Sequence, residues 1–588
     1  MKITSVRRIS QIFFFTLFIW LCIVNTLGES FWQLRGWPVN IFLQLDALSA
    51  IGTVLSTHRL YHNFIWAVLV IALTFVIGRF FCGWICPFGA LHQFAGYIAH
   101  GKKPKREKIR LNSYRKIYVI KYYILILFLV MAVFPVVGGS LMTGLLDPLP
   151  LFTRSMNLIL LPVLDGSSHV SSAAGRLYEG GLVILIVFAA LVLLNIVIPR
   201  FFCRVLCPLG ALMGIFSRLA IWKIGQNKNA CTECGLCNSS CEGGCEPAGQ
   251  IRQAECVLCF NCLHDCQHGT ISYQASASTA GEIKGPGVSR KSFLTTLGSG
   301  IFLLPAMRLS GQTDNNWQYD CIRPPGSIGE EEFLARCLRC GQCMRICPTN
   351  IIQPAGLDRG MESLWTPVLN FRIGTSGCQH ACVACGKSCP SAAIRPITLE
   401  EKHGKGDYRK SGPVRIGTAF FDRSRCLPWA MNMPCIVCQE NCPVSPKAIY
   451  TDDFYSPVRD GVLQVKKIMG SRIELQSDKL IEGMYSSGDY FLLLGGRKYR
   501  IKGNGTGEIE TTEKISRSNY SSAEVLVHLQ RPYMDIEKCV GCGICEHECP
   551  VHGLKAVRIS AEGETRNPER NMTIRKGKYV TREVHNGK

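Results

Sequence analysis

The feature that most limits what this chain can fold into is a short cysteine pattern that recurs six times. The first two copies, Cys231, Cys234, Cys237, Cys241 and Cys256, Cys259, Cys262, Cys266, are separated by fourteen residues. Four more follow: Cys337, Cys340, Cys343, Cys347; Cys378, Cys382, Cys385, Cys389; Cys426, Cys435, Cys438, Cys442; and Cys539, Cys542, Cys545, Cys549. The last four copies end in Cys-Pro, the first two do not, and Cys245 stands close enough to Cys241 in CNSSCEGGCEP to be its alternative. A [4Fe–4S] cluster takes four thiolates; cysteines at every third position supply three, and the last cysteine of a partner cassette supplies the fourth. The pattern therefore predicts about six [4Fe–4S] clusters, with cassettes working in pairs.

Other uses of the 31 cysteines fit less well. Disulfide scaffolds are small secreted domains with irregular spacing, whereas one pattern recurs here. Zinc ribbons use paired C-x2-C motifs but do not require four cysteines in a compact, Pro-terminated run. Outside the cassettes and the motifs described next, Cys22 and Cys321 read as packing residues.

Ahead of the cassettes, four apolar stretches approach the length of a bilayer: Ile12 to Leu27, Phe64 to Phe81, Ile117 to Val137 and Leu182 to Pro199. The formal charge of +22 is concentrated beside them. The loop between the second and third stretches carries Lys102, Lys103, Lys105, Arg106, Lys108, Arg110, Arg115 and Lys116, whereas Arg35 and Arg59 are balanced by Glu29 and Asp46 in the loop before it. Cationic loops stay on the cytoplasmic side, which puts both ends of a four-helix unit there. The charge is thus an orientation signal, and no nucleic-acid partner is expected.

The second and fourth stretches end in a repeat, RFFCGWICPFGAL from Arg79 and RFFCRVLCPLGAL from Arg200, 121 residues apart. Cys82 and Cys86, and Cys203 and Cys207, fall on one helix face if the helix continues, and Pro87 and Pro208 then stop it or mark a turn. These four thiols are candidates for a redox couple or for joint metal ligation. His58, Arg59, His62 and His92 are candidate polar groups for a membrane-soluble redox substrate, or interfacial anchors.

A Gly/Ser/Pro-rich linker, SASTAGEIKGPG, leads to SRKSFLTTLGSGIFLLPAMRL. Its apolar core, 293–307, is expected to form a fifth, short span or an interfacial helix. Ser289 to Leu294 resemble a twin-arginine export motif with Lys291 in place of the second arginine, which would carry the last four cassettes to the far side of the membrane. Between the fifth and sixth cassettes, alternation in LQVKKI and a hairpin at Gly495–Gly496 predict a small β-subdomain over about 456–530, with a structural or docking role.

Taken together, RFFCGWICP, RFFCRVLCP and the following two-cluster module resemble the NapH-type membrane ferredoxins. RPPGSIGEEEFLARCLRCGQCMRICPTN, GCQHACVACGKSCP, PCIVCQENCPV and CVGCGICEHECPV resemble the NapG/MauM-type four-cluster ferredoxins. The resemblance implies a fusion: a helical membrane module over 1–225, an α+β two-cluster ferredoxin over 226–278, a linker over 279–312, and a four-cluster domain over 313–588. It further implies a multi-pass protein of the bacterial inner membrane with a periplasmic C-terminal domain. Such a protein oxidises quinol from the membrane pool and passes electrons to a periplasmic reductase or cytochrome, as an electron-transfer component rather than a self-contained enzyme. Two alternatives remain at this level: a maturation factor for a metalloenzyme, and electron flow from a cytoplasmic ferredoxin to quinone.

Overall fold

In a computed structural model, the described residues are 2–27, 37–133, 140–168, 175–283, 285–309, 321–516 and 519–566. Glu29, Arg35 and the end of the third apolar stretch at Val137 lie outside them. The chain forms two compact units, residues 1–370 with 383–412, and residues 371–382 with 413–588.

The first unit is built on helices: α1 (Ile3–Leu27), α2 (Ala47–Thr57), α3 (Ile65–Ile77), α4 (Pro87–His100), α5 (Ile120–Val133), α6 (Pro148–Ser155), α7 (Gly181–Leu193), α8 (Pro208–Ser217) and α9 (Arg290–Leu309). Among the described residues, two helices are long and apolar enough to cross a membrane, Ile3–Thr26 and Lys105–Val133. Four spans were expected from hydropathy. The other two stretches form shorter apolar helices, His62–Ile77 and Gly181–Ile196. The reason is backbone conformation: at Gly78 the chain turns with φ +86°, ending one helix before Phe81 is reached, and after Leu193 the last stretch tightens into a 3-10 turn. The expected fifth span lies in α9, which starts at Arg290 with Ser289 Oγ accepting the Ser292 N–H at 3.1 Å and contains Pro305; it is not one of the two long apolar helices.

The core of this unit is aromatic. Phe18 and Phe152 stack at 4.7 Å, Phe88 stacks on Phe152 at 5.4 Å, and Phe202 meets Phe88 edge-on at 4.9 Å, all of them buried. α2 is capped by Asp46, whose Oδ1 accepts the N–H groups of Leu48 and Ser49 at 3.0 and 3.3 Å.

α1 contains 25 residues, a length of about 37 Å. Where it begins, Arg7 forms an ion pair with Glu242 of the first ferredoxin module at 2.6 Å, and Gln11 donates to the Gly83 carbonyl at 2.8 Å. Where it ends, Asn25 donates to the carbonyl of Gln342, inside the third cassette, at 3.2 Å, and Arg345 donates to Thr26 at 2.5 Å. The first and third cassettes therefore occupy opposite ends of one helix. α9 runs alongside α5 in the same direction, with Gly287 near Val119 and Gly300 against Val130, so it carries the chain from one end to the other.

Small antiparallel pairs frame the cassettes: β1 (Lys223–Gln226) with β2 (Ile271–Gln274), and β3 (Ile352–Pro354) with β4 (Pro367–Leu369). In the second unit β5 (Thr418–Phe421) pairs with the terminal strand Val557–Ser560. Between them, residues 449–534 form a closed six-stranded barrel. Its long strands, Ile449–Met469 and Ser522–Met534, pair from Ile449↔Met534 onward, and the Tyr490–Leu494 and Arg497–Asn504 hairpin turns on Gly495 and Gly496, both with positive φ. Ile473, Leu492, Ile509 and Val525 fill it with no exposed surface. Closure removes the free strand edges that an inserted sheet would otherwise present.

Candidate iron–sulfur centres

Four of the six cassettes share one loop conformation. The residues on either side of the second cysteine are left-handed: Glu233 and Gly235, Leu258 and Phe260, Arg339 and Gly341, Gly541 and Gly543. Alternating handedness makes a loop curl and turn successive N–H groups inward, forming a concave nest for an anionic group. Non-glycine residues held at positive φ are strained, so their repetition at one place in the pattern marks a conformation imposed by function. The fourth and fifth cassettes, with stretched first intervals, do not repeat it: Val383 and Ile436 have φ of −134° and −127°.

The loops aim their thiols at shared spaces. Cys231, Cys234, Cys237 and Cys266 line one cavity of about 20 Å³; Cys337, Cys340, Cys343 and Cys389 line another of the same size. Three cysteines of one cassette thus meet the last cysteine of the next, as the pairing argument requires. In the first module the complementary set is Cys256, Cys259 and Cys262, facing Cys241. Cys245 is there too, its sulfur 3.4 Å from that of Cys241. In the second unit Cys438 faces Cys426, Cys435 and Cys549, and Cys545 faces Cys539, Cys542 and Cys442. The fourth cassette is divided, with Cys378 and Cys382 in the second unit and Cys385 and Cys389 in the first. Cys347 is buried beside Thr349.

Among the described residues, which include all 31 cysteines, there is no disulfide, and no group of three or more His, Cys, Asp or Glu is closed tightly enough for a single metal ion. The thiols ring cavities instead, a donor set that fits a multi-atom cluster. Burial pushes the thiols of Cys237, Cys438 and Cys542 up to about 12, so each keeps its proton at neutral pH until a metal displaces it.

In the duplicated motif the helix does not continue through both cysteines. Cys82 sits in a single turn, Phe80–Trp84, and Cys203 in a π-turn, Phe202–Leu206. Cys86 and Cys207 are extended and serve as N-caps of α4 and α8, with Pro87 and Pro208 in the first helical position. The Gly89 N–H donates to Cys86 Sγ at 3.4 Å and the Gly210 N–H to Cys207 Sγ at 3.1 Å. The four thiols come together: Cys86 interacts electrostatically with Cys82 and Cys203, and Cys207 with Cys203 and Cys82.

Of the other candidates, His92 is a core residue. It has no exposed surface, lies between Phe88 and Phe202, and its Nδ1 meets the Asn195 amide at 2.7 Å. His58, Arg59 and His62 are exposed. Sequence reasoning missed the charged groups at the junction of helices and first module, Arg79, Lys121, Arg200, Glu242 and Glu255. The repeated arginine of RFFC was the available signal.

Comparison with known proteins points the same way. A 4Fe-4S binding domain model matches residues 60–106 and 181–226, the two copies of the duplicated motif, and a second 4Fe-4S binding domain model matches 333–353 and 532–555. A protein of uncharacterised function from Methanocaldococcus jannaschii is 27% identical over 277 residues, 47% of this chain and 88% of its own length. The protein NirI of Paracoccus denitrificans is 30% identical over 39% of this chain and 32% of its own. The ferredoxin-type protein NapG of Escherichia coli is 33% identical over 22% of this chain and 50% of its own. The match thus spans a third to a half of these last two relatives. No solved structure matches the chain. The cysteine loops and these matches together make the chain an iron–sulfur protein of electron transport.

Proposed function

We propose that the protein oxidises quinol in the membrane and passes the electrons through [4Fe–4S] clusters to a redox partner on the side of its C-terminal cassettes. One observation carries the donor half of this reading. A cavity of about 620 Å³ opens where α7 begins, lined by Glu179 and Val183 of the helical part and by Ala355, Asp358, Arg359 and Trp365 beside the third cassette. Its size suits a quinone headgroup, and it has apolar walls with a few polar groups, as ligand sites do. Trp365 lies 4.2 Å from the Arg154 guanidinium, which donates to the Arg339 carbonyl at 3.1 Å, so the cavity wall is one residue removed from the Cys337–Cys343 loop. Oxidation of quinol releases electrons and protons together, and the carboxylates of Glu179 and Asp358 stand at the cavity as proton acceptors. When bound, the clusters supply one-electron carriage at potentials set by burial and hydrogen bonds to sulfur.

The cassettes of residues 231–266 belong on the cytoplasmic side, next to the cationic loop, and those of 337–549 on the periplasmic side, with α9 as the crossing. This rests on the opposite placement of Glu242 and Gln342 along α1 and on the Lys/Arg distribution. The short helices α3 and α7 complete a NapH-like bundle in this reading.

The test is cluster reduction in isolated membranes. Added menaquinol should bleach the cluster absorbance of the wild type within seconds, and Trp365→Ala should slow it at least tenfold at unchanged iron content. No reduction of the wild type by quinol overturns the donor assignment.

A further inference from the structure

The duplicated motif brings together more charge than the six cassettes require. Arg79 precedes the first copy, yet its guanidinium reaches the second. A Cβ on Gly210 would lie 2.4 Å from Arg79 Nη2, and the same glycine faces Cys207 Sγ. Arg200 precedes the second copy and reaches the first, donating to the carbonyls of Cys82 at 3.1 Å and Gly89 at 3.4 Å; a Cβ on Gly89 would lie 3.1 Å from its Nη2. The repeat is thus closed by crossed arginines, and the glycine of each CPxG turn leaves the room that the other copy's arginine fills. Arg79 Nε also lies 3.3 Å from Cys82 Sγ.

Both arginines are about 2% exposed, and the Nε of Arg200 has no hydrogen-bond partner. Around them, Arg7 and Lys121 add two more enclosed cations, while among the described residues two carboxylates answer: Glu242, shared by Arg7 and Arg200, and Glu255, already paired with Lys121. Arg204 is spent on the cassette side, donating to the carbonyls of Cys241 and Glu242. Enclosed cations without matching anions are costly. Arg7 also faces Cys259 of the second cassette, where a cluster answers it, but Arg79 and Arg200 face the motif thiols themselves, and four protonated thiols or two disulfides are neutral and leave these two without a counter-charge of their own. A cluster core held by four thiolates carries a net charge of about −2 and balances them.

We propose that Cys82, Cys86, Cys203 and Cys207 jointly hold one further iron–sulfur cluster, with two ligands from each repeat and with Arg79 and Arg200 as its crossed counter-charges. Cys86 and Cys207 present thiolates at the N-termini of α4 and α8, where the helix dipole and the N–H groups of Gly89 and Gly210 favour negative sulfur. The centre abuts the second cassette. A Cβ on Gly83, between Cys82 and Trp84, would lie 2.1 Å from the Val257 carbonyl oxygen, and Trp84 Nε1 donates to the Leu258 carbonyl at 3.0 Å. Val257 and Leu258 are the residues between Cys256 and Cys259, so the centre extends the electron path of the first ferredoxin module into the helices. The inference stands whether or not quinol is the donor.

The test uses the full chain, purified anaerobically. Six cubes account for about 24 iron atoms per chain and a seventh raises this to about 28. We expect the higher count, with Cys82→Ser/Cys207→Ser losing about 4 irons and one electron-paramagnetic signal while the remaining signals persist. In wild type, denaturing alkylation without reductant should label all four motif cysteines as thiols. About 24 irons in wild type, or disulfides among these four, overturns the proposal. If the double variant does not fold, the wild-type iron count and thiol state decide alone.

Discussion

Gly83 and Gly144 illustrate how single residues join the helices to the ferredoxin modules. A Cβ on Gly83 would meet the Val257 carbonyl at 2.1 Å, and one on Gly144 would meet the Leu338 carbonyl at 2.2 Å; both carbonyls lie between the first two cysteines of a cassette. Backbone cannot retreat as a side-chain tip can, so Gly83→Val is expected to cost about 1–3 kcal/mol and to expose residues 226–283 to proteolysis. Gly249→Ala, where no atom lies within 4 Å, should leave the cleavage pattern unchanged. Nearby, Lys121 and Glu255 form an ion pair that is 0% and 4% exposed, with Tyr122 donating to Glu255 at 3.0 Å. Glu255→Gln leaves an ammonium enclosed without a counter-charge, for an expected loss of about 3–5 kcal/mol; Lys121→Met in the same chain should recover most of it in a thermal melt.

The cassette thiols carry a pH signature of their own. Their folded-state values, raised from 9.0 to about 12 at Cys237, Cys438 and Cys542, exceed those of the unfolded chain. The stabilisation that these three thiols give the iron-free protein is therefore complete below pH 9 and is lost as pH rises from there towards 12, because the unfolded thiols ionise first. A denaturant midpoint that falls over this window in the apo but not the loaded protein is the expected result.

At the scale of elements, the cassettes were legible because their chemistry is local: spacing predicts that the last cysteine of a run joins a partner cassette, and the cavities containing Cys266 and Cys389 follow that rule, whereas which cassettes pair depends on packing between distant loops. The Gly495–Gly496 hairpin was legible for the same reason. Helix ends were not, since hydropathy carries no information about the positive φ at Gly78, so two apolar stretches yield shorter helices than expected. The crossing of Arg79 and Arg200 depends on how two distant repeats pack, which no local pattern encodes. The barrel is legible only as strands; its closure comes from the pairing of its long outer strands. Because Ile449 and Met534 are register partners, the two ends of the barrel are already adjacent. Replacing residues 454–529 by a short Gly-Ser turn should leave the iron content of the second unit unchanged, and loss of iron would show the barrel to be needed for cluster retention.

For the whole molecule, the organising fact is that α1 touches the first ferredoxin module with Arg7 and the third cassette with Asn25, about 27 Å apart along the helix. That separation is close to the roughly 30 Å thickness of a bilayer's hydrocarbon core. In the function proposed above, such a protein would collect electrons within the membrane and deliver them on one side, with a second set of clusters on the other. The most direct measurement is paramagnetic relaxation of the reduced clusters by a membrane-impermeant lanthanide chelate added to sealed, right-side-out vesicles. The account predicts that the clusters of residues 337–549 relax faster while those of 231–266 respond only after the vesicles are opened. Equal relaxation of both sets in sealed vesicles would contradict it.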